Sequence, residues 1–207
     1  MNLEPAPDCA RCNRLAHFRI ANQSAHDGFH NAPVVSFGPL AAELLIVGLA
    51  PGLKGANRTG RPFTGDWAGD LLYPTVLEFG LGHGTYGGEA DDGLTLTQCR
   101  ITNAVRCVPP ENKVNGAEIT ACNEFLRAEI QAMPNLVSMI ALGTVAHTAV
   151  LKAFDLKLSA FKFAHCAQHD LGLGITLTDS YHCSRYNTNT GRLTEEMFHQ
   201  VFKTALL

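Results

Sequence analysis

The feature that most constrains the fold of this 207-residue chain is the segment from Gly48 to Leu72, which reads GLAPGLKGANRTGRPFTGDWAGDLL. It follows a continuous apolar run, Leu44 to Val47, and leads into a segment whose apolar residues have helical spacing. An apolar run of this length favours a strand that is buried on both faces. Open α/β sheets place their ligand sites at the turn after such a strand, so the segment predicts a binding loop.

This loop does not match the two common phosphate-binding patterns. A Walker loop needs Gly-Lys-Ser/Thr, but Lys54 is followed by Gly55, and no G-x-G-x-x-G opens the next helix. The loop instead offers an aromatic ring, a carboxylate and several hydrogen-bond donors, a set that would suit a planar polar ligand next to a polyanion. These residues are Pro51, Asn57, Arg58, Thr59, Arg61, Phe63, Thr64 and Asp66.

Length and composition indicate one folded domain over residues 1–207 with a full hydrophobic core. The apolar fraction is 46%, and no apolar run approaches the roughly 20 residues that a membrane span requires. The N-terminus shows no signal-peptide pattern. We therefore expect a cytoplasmic monomer that does not associate with membranes. Because the formal net charge is −3, DNA binding would have to come from a local basic face.

Predicted strands and helices alternate along the chain after residue 40. This alternation predicts an α/β fold with a parallel sheet and helices on both faces. The predicted strands lie at 44–49, 100–105, 136–142 and 175–179. Helices are predicted at 13–18, 66–79, 116–133, 143–154 and from 194 onward, with Asn115 as a helix cap and polar loops at 80–93 and 180–192.

The chain has seven cysteines, an odd number that argues against a disulfide framework. Cys9 and Cys12 form a C-x-x-C pair, and fourteen residues separate Cys107 from Cys122. A zinc ribbon would need a second C-x-x-C, whereas a four-thiolate [4Fe–4S] site accepts irregular spacing. Inert, buried cysteines would explain the pattern equally well, so spacing alone leaves both readings open. The other three are interpreted as core residues: Cys99, Cys166 and Cys183.

Three motifs together, GLAPG…NRTGRPFTGD, ITNAVRC…C and SYHCSRYNTNTGRLT, resemble the iron–sulfur uracil-DNA glycosylases and most closely their family 5, or type B. The resemblance extends from Cys9 to the last helix. It implies a three-layer α/β/α domain with a four-stranded, mainly parallel sheet. It also implies a structural [4Fe–4S] cluster on Cys9, Cys12, Cys107 and Cys122. The sister family 4 has an acidic residue at the position of Leu49. Family 5 proteins generally have leucine there, as this chain does.

The resemblance assigns a role to each of several residues in binding a flipped base, which such an enzyme must extract from the DNA stack. Phe63 would be the stacking wall, and the alternative is a core aromatic. Asn103 would pair with the N3–O4 edge of uracil, although an Asn at a strand end is also a turn former. His182 would donate to uracil O2 and stabilise the developing base anion. The backbone that lies against the nucleotide would come from Gly48, Ala50, Pro51 and Gly52.

Asp66 would position or deprotonate the attacking water, a contribution of about 10²–10⁴-fold. An Asp before a helix is also a favoured N-cap, and Asp70, one turn later, is the second candidate. The segment from 184 to 192 resembles the family's loop that enters the minor groove, although solvated surface charge is the simpler reading of each arginine. The expected DNA contacts are Ser184, Arg185, Tyr186, Asn187, Arg192, Arg58, Arg61 and Lys113.

These observations predict a monofunctional glycosylase that hydrolyses the N-glycosidic bond of uracil in DNA. The resemblance to family 5 also implies that other deaminated bases such as hypoxanthine are accepted, and Leu49 in place of an acidic residue favours a less discriminating pocket. The motifs place no lysine as a Schiff-base nucleophile, so strand cleavage is not expected. The alternatives are a uracil-DNA binding protein with little turnover, in which Asp66 is only a cap, and an iron–sulfur electron carrier.

Overall fold

The computed structural model describes residues 2–207 and shows an α/β fold with two β-sheets. The strands are β1 (Leu44–Gly48), β2 (Gly82–His83), β3 (Thr95–Leu96), β4 (Cys99–Asn103), β5 (Ser138–Leu142), β6 (Gln168–Asp170) and β7 (Thr176–Ser180). The central sheet has the order β4-β1-β5-β7-β6, and β2 pairs with β3 in a separate two-stranded ribbon. Four central strands are parallel and β6 is antiparallel to β7. The predicted mainly parallel sheet is confirmed, with five strands instead of four.

The register of the parallel strands brings their carboxyl ends to one edge of the sheet. Gly48 of β1 lies opposite Asn103 of β4, and Leu142 of β5 lies opposite Ser180 of β7. The residues that follow these strands therefore meet above the same edge, where open α/β sheets bind their ligands.

Helices cover both faces of the sheet. They are α1 (Asn13–Ala25), α2 (Ala56–Thr59), α3 (Trp67–Glu78), α4 (Gly116–Ala132), α5 (Thr144–Ala153), α6 (Arg185–Asn189) and α7 (Glu195–Ala205), with short 3₁₀ turns at Pro110–Asn112 and Leu158–Ala160. Leu45 and Val47 of β1 pack against α1, α4 and α5. Leu44 and Ile46 face the opposite way and pack against α3 and α7. This alternation along one buried strand produces the three predicted layers. Within residues 2–207, no helix combines the length and the apolar character needed to cross a membrane.

Two helix starts follow directly from local sequence. The Asn115 side chain accepts from the Glu118 backbone N–H and the Glu118 carboxylate accepts from that of Asn115, so the predicted cap is part of a capping box. Thr194 caps α7 through the backbone N–H of Met197.

The structure differs from the sequence prediction at several elements, among them the unpredicted helix α2 and the ribbon strands β2 and β3. Helix α1 extends to Ala25, whereas the prediction ended it at residue 18. Its buried face at i, i+4 and i+7 carries Leu15, Arg19 and Asn22, so the sequence shows no apolar period from which the full helix could be predicted. The strand β6 lies at the edge of the sheet and consists of polar residues. It therefore has no alternating apolar pattern and was not predicted. Helix α6 forms inside the predicted polar loop. Cys166 is half-buried, whereas the other two cysteines predicted in the core are fully buried.

Candidate active site and cysteine site

A cleft of about 800 Å³ opens above the carboxyl edge of the sheet. Its walls come from the loop after β1, the start of α3, the turn after β5 and the segment after β7. Many of the predicted site residues line it: Ala50, Gly52, Asp66, His182, Ser184, Arg185, Tyr186, Asn187 and Arg192. Residues that are more than 100 positions apart in the sequence meet in this cleft, because the carboxyl ends of the parallel strands lie at the same edge of the sheet.

Phe63, Asn103 and Gly48 lie together beside this cleft. A Cβ atom built on Gly48 would lie 2.3 Å from Cζ of Phe63 and 2.5 Å from Oδ1 of Asn103, so both side chains pack directly over the glycine. The ring of Phe63 is also near that of His182, with centroids 6.1 Å apart and planes inclined by 29°. The three side chains predicted to recognise a base are therefore neighbours.

The backbone that presents Phe63 is strained and firmly held. Phe63 has a φ of +53°, in the left-handed region that larger residues rarely adopt. The Tyr73 hydroxyl donates to the carbonyl of Pro62, and the Tyr86 hydroxyl donates to the carbonyl of Phe63 over 3.4 Å. Strain of this kind persists where surrounding contacts over-determine it, and it concentrates at functional sites.

Arg61 lies in the interior and does not face the cleft. Its guanidinium donates to both carboxylate oxygens of Asp92 over 2.8 and 2.7 Å. It also lies 5.0 Å from the ring centroid of Phe37 and 5.3 Å from that of Tyr73. With 5% of Arg61 exposed, this placement does not support the predicted phosphate contact. It gives Arg61 a structural role beneath the Phe63 loop.

His182 is neutral at neutral pH, because burial lowers the pKa of its imidazole to about 4. A neutral ring has one nitrogen that donates and one that accepts. Nδ1 is buried and has no hydrogen-bond partner among residues 2–207. The backbone carbonyl of His182 accepts from Nδ2 of Asn187 over 2.8 Å, which fixes the loop. The imidazole is therefore held in place, while its Nδ1 has no hydrogen-bond partner within the described residues.

The two oxygens of Asp66 have different environments. Oδ1 caps α3 by accepting from the backbone N–H groups of Ala68 and Gly69 over 3.1 and 3.2 Å. Oδ2 accepts no hydrogen bond from the described residues and lies beside the backbone of Gly52 and Gly55. Burial raises the pKa of Asp66, and the bonds from the helix backbone only partly oppose that rise. The cap and a catalytic role are therefore compatible, because each uses a different oxygen.

The rim of the cleft is basic. Lys54, Arg185 and Arg192 line it, and none of the three forms an ion pair with any residue between 2 and 207. Asp66 is the only acidic side chain that lines the cleft within that range. Lys54 was not predicted as a contact, because a single lysine in a glycine-rich loop carries no specific signal. The rim has a positive local potential despite the net charge of −3.

Two other predicted DNA contacts are engaged with carboxylates. Arg58 donates from Nη1 to both oxygens of Glu89 over 2.8 and 2.9 Å. Lys113 pairs with Glu111 at 3.0 Å on the exposed surface next to the 3₁₀ turn at Pro110–Asn112. Such exposed pairs are weak, so both cations can exchange partners with a phosphate.

The four cysteines of the predicted cluster line one small internal cavity, together with Leu15 and Phe125: Cys9, Cys12, Cys107 and Cys122. None of them forms a disulfide. Four thiols from two separated segments of the chain that meet at one cavity form the ligand set of a four-thiolate [4Fe–4S] cluster.

The groups around these sulfurs also suit an anionic cluster. The Arg106 backbone N–H donates to Sγ of Cys122 over 3.4 Å, and Nη1 of Arg19 donates to Sγ of Cys107 over 3.7 Å. Arg19 is 4% exposed and has no carboxylate partner in the described part of the chain. A buried cation needs an anionic partner, which a thiolate-ligated cluster supplies. The residues therefore fit the [4Fe–4S] group.

A second polar cluster, whose members are not among the residues that line the cleft, was not predicted. Asp179 is fully buried and contacts Nδ1 of His147 at 2.8 Å and Nε2 of His169 at 2.9 Å. Nε2 of His147 also faces the carbonyl of Phe161 at 3.1 Å. Because both nitrogens of His147 face acceptors, the ring satisfies both contacts only as an imidazolium.

Comparison with known proteins agrees with this geometry. Residues 35–206 match the family model described as the uracil DNA glycosylase superfamily. The type-5 uracil-DNA glycosylase of Thermus thermophilus is 43% identical, covering 95% of this chain and 92% of its own length. Those of Pyrobaculum aerophilum and Mycobacterium leprae are 37% and 38% identical, covering 96% and 95% of this chain and 88% and 90% of their own.

The family model defines the broad class, and the relatives define the branch within it. The chain belongs to the uracil-DNA glycosylase superfamily and, within it, to the type-5 uracil-DNA glycosylase family.

Proposed function

We propose that this chain is a monofunctional DNA glycosylase that hydrolyses the N-glycosidic bond of uracil in DNA and leaves an abasic site. The observation that carries the proposal is the convergence of Phe63, Asp66, Asn103 and His182, from three separate stretches of the chain, around one cleft. The type-5 relatives described above are named uracil-DNA glycosylases, which is the same activity.

Recognition of the base uses one ring and two polar side chains. Phe63 offers a flat apolar face for stacking. The buried amide of Asn103 both donates and accepts, as the N3–O4 edge of uracil requires. Neutral His182 donates an N–H to O2, and this bond strengthens as negative charge develops on the departing base. Such an interaction lowers the barrier and does not merely tighten binding.

Asp66 acts on the attacking water. The cap through Oδ1 keeps the carboxylate in place, while Oδ2 is free to orient the water or accept its proton. Its raised pKa makes it a better base at neutral pH than an exposed aspartate. The same negative charge offsets the positive charge that develops on the sugar.

The unpaired cations of the rim bind the DNA backbone. Within the described residues, Lys54, Arg185 and Arg192 have no carboxylate partner to displace, so they can contact phosphates directly. The remaining proposed contacts are Ser184, Tyr186 and Asn187 at α6, and the two weakly paired surface cations Arg58 and Lys113. This local face explains how a chain with net charge −3 binds a polyanion.

Leu49 lines the cleft and provides an apolar wall where the sister family has an acidic residue. A site without that carboxylate discriminates less between bases, so we propose that hypoxanthine and other deaminated bases are also excised. Relative excision rates on matched duplexes that carry uracil or hypoxanthine would measure this breadth.

We further propose that Cys9, Cys12, Cys107 and Cys122 hold a [4Fe–4S] cluster. When bound, the cluster ties the N-terminal segment to the loop after β4 and to α4, and its role is structural. The four thiolates, the buried Arg19 and the backbone N–H of Arg106 are the features of this chain that support it.

Asp66→Asn tests the mechanism and separates it from a non-catalytic uracil-DNA binding protein. Asparagine is an equally good N-cap, so the fold should be retained. Loss of the carboxylate should reduce the single-turnover excision rate by about 10²–10⁴-fold. Asp70, the second candidate, is exposed on the next turn of α3 and is not among the residues that line the cleft. Asp70→Asn is therefore the matched control and should retain the wild-type rate. Unchanged excision by Asp66→Asn would leave Asp66 as a cap only, and tight uracil-DNA binding without any wild-type excision would favour the binding protein.

A further inference from the structure

Trp67 is the single tryptophan of the chain and lies at the rim of the cleft. It is the first residue of α3 and directly follows Asp66. Although tryptophan is usually well buried, 43% of this residue is exposed. No part of the base chemistry proposed above uses it.

The indole is nevertheless held in a fixed position. Its Nε1–H donates to Oγ1 of Thr188 over 2.8 Å, which ties the start of α3 to α6. The guanidinium carbon of Arg185 lies 5.1 Å from the ring centroid of Trp67, at a cation–π distance. An aromatic ring that is restrained at its polar edge while much of its surface remains in water loses little entropy when a ligand stacks on it.

The surroundings of Trp67 match those of a nucleic-acid stacking site. Tyr186 is 72% exposed on the same short helix as Arg185, and Arg192 lies 4.6 Å from the ring centroid of Tyr181. Aromatic rings interleaved with unpaired arginines are the combination that binds single-stranded nucleic acid, because bases stack on the rings while cations hold the phosphates.

We infer that Trp67 and Arg185 form a stacking platform for the base next to the flipped nucleotide on the same strand. The inference rests on the proposed glycosylase function, which places the flipped base between Phe63 and Asp66. Asp66 directly precedes Trp67 in the sequence. Flipping removes a stacking partner from that neighbouring base. The platform replaces the lost partner, so it favours DNA in which the base is already unstacked.

The test uses the intrinsic fluorescence of Trp67 and an oligonucleotide that contains 2′-fluoro-deoxyuridine. The electron-withdrawing fluorine disfavours the cationic sugar and so slows cleavage. Titration of this oligonucleotide into the holoenzyme should quench the tryptophan emission with a saturating curve. Trp67→Leu should weaken binding to a single-stranded oligonucleotide, measured by fluorescence anisotropy, by about 5-fold to 150-fold, while Trp67→Phe should lose less.

Leu173→Ala is the matched control, because it removes an even more exposed apolar side chain from the turn before β7, at the opposite end of the strand from the cleft. It should bind as the wild type does. If the wild type excises uracil while DNA leaves the emission unchanged and Trp67→Leu binds normally, the platform is refuted and the glycosylase function stands. If DNA quenches the emission but the wild type excises nothing, the glycosylase function fails and Trp67 remains a nucleic-acid contact.

Discussion

Gly48→Ala should damage base recognition even though it adds a single methyl group. Gly48 ends β1 with an ordinary extended backbone, so alanine is not disfavoured by its conformation. The new Cβ would lie 2.3 Å from Cζ of Phe63 and 2.5 Å from Oδ1 of Asn103, where ordinary contacts begin at 3.4 Å. The ring therefore has to move by about 1.1 Å and the amide by about 0.9 Å.

Neither group can move away at low cost. Phe63 is buried and its backbone is held at a φ of +53°, and Asn103 is buried at the end of β4. Overpacking of this kind lowers the free energy of unfolding by about 1–3 kcal/mol. A displacement of about 1 Å in a group that positions the substrate can cost about 100-fold in rate. We therefore expect a fall of about 100-fold in the excision rate.

The assay is single-turnover excision of uracil with enzyme in excess, together with urea unfolding of the same preparation. Gly116→Ala is the control, because a Cβ at that first residue of α4 would meet no atom within 4 Å. It should retain both rate and stability. A Gly48→Ala enzyme that excises at the wild-type rate would refute the assignment of the Phe63 and Asn103 side chains to the uracil pocket.

Three further predictions concern the groups that support the site. Burial alone would lower the pKa of His147, but the hydrogen bond and charge of Asp179 outweigh it and raise the pKa. The stability that this contact adds to the folded state is present below pH 6.5 and is lost as the pH rises through the raised pKa of His147. The urea midpoint of the wild type should therefore decrease as the pH becomes alkaline, and that of His147→Gln should decrease less. Asp92→Asn leaves Arg61 without its buried partner and should lower the free energy of unfolding by about 3 kcal/mol, whereas a wild-type urea midpoint would contradict that pairing. Cys107→Ser should lose visible absorbance and bound iron, and full iron retention would exclude this cysteine as a ligand.

Much of the fold follows from patterns that are visible in the sequence. Buried parallel strands need continuous apolar runs, and Leu44–Gly48 and Ser138–Leu142 lie within the runs that predicted them. Elements without such a pattern were missed or truncated. The buried face of α1 carries Arg19 and Asn22, and a helix that buries a cation beside cysteine sulfurs shows no apolar period.

The candidate site was harder to predict from the residues alone. Asn103 and His182 follow strands, which places them at the correct edge of the sheet, but their roles came from the resemblance to family 5. Arg61 was expected at the DNA because nothing in its neighbourhood reveals Asp92, 31 residues later, as its partner. Trp67 was overlooked because exposure, the property that makes it interesting, cannot be read from a sequence.

The most direct test of the account is excision from an end-labelled duplex that contains one uracil, using anaerobically purified holoenzyme followed by hot alkali. Breaks at the uracil position that depend on alkali are expected, because the enzyme removes the base and leaves the strand intact. An intact duplex after alkali would contradict the glycosylase function. Breaks at the uracil without alkali would contradict the monofunctional mechanism.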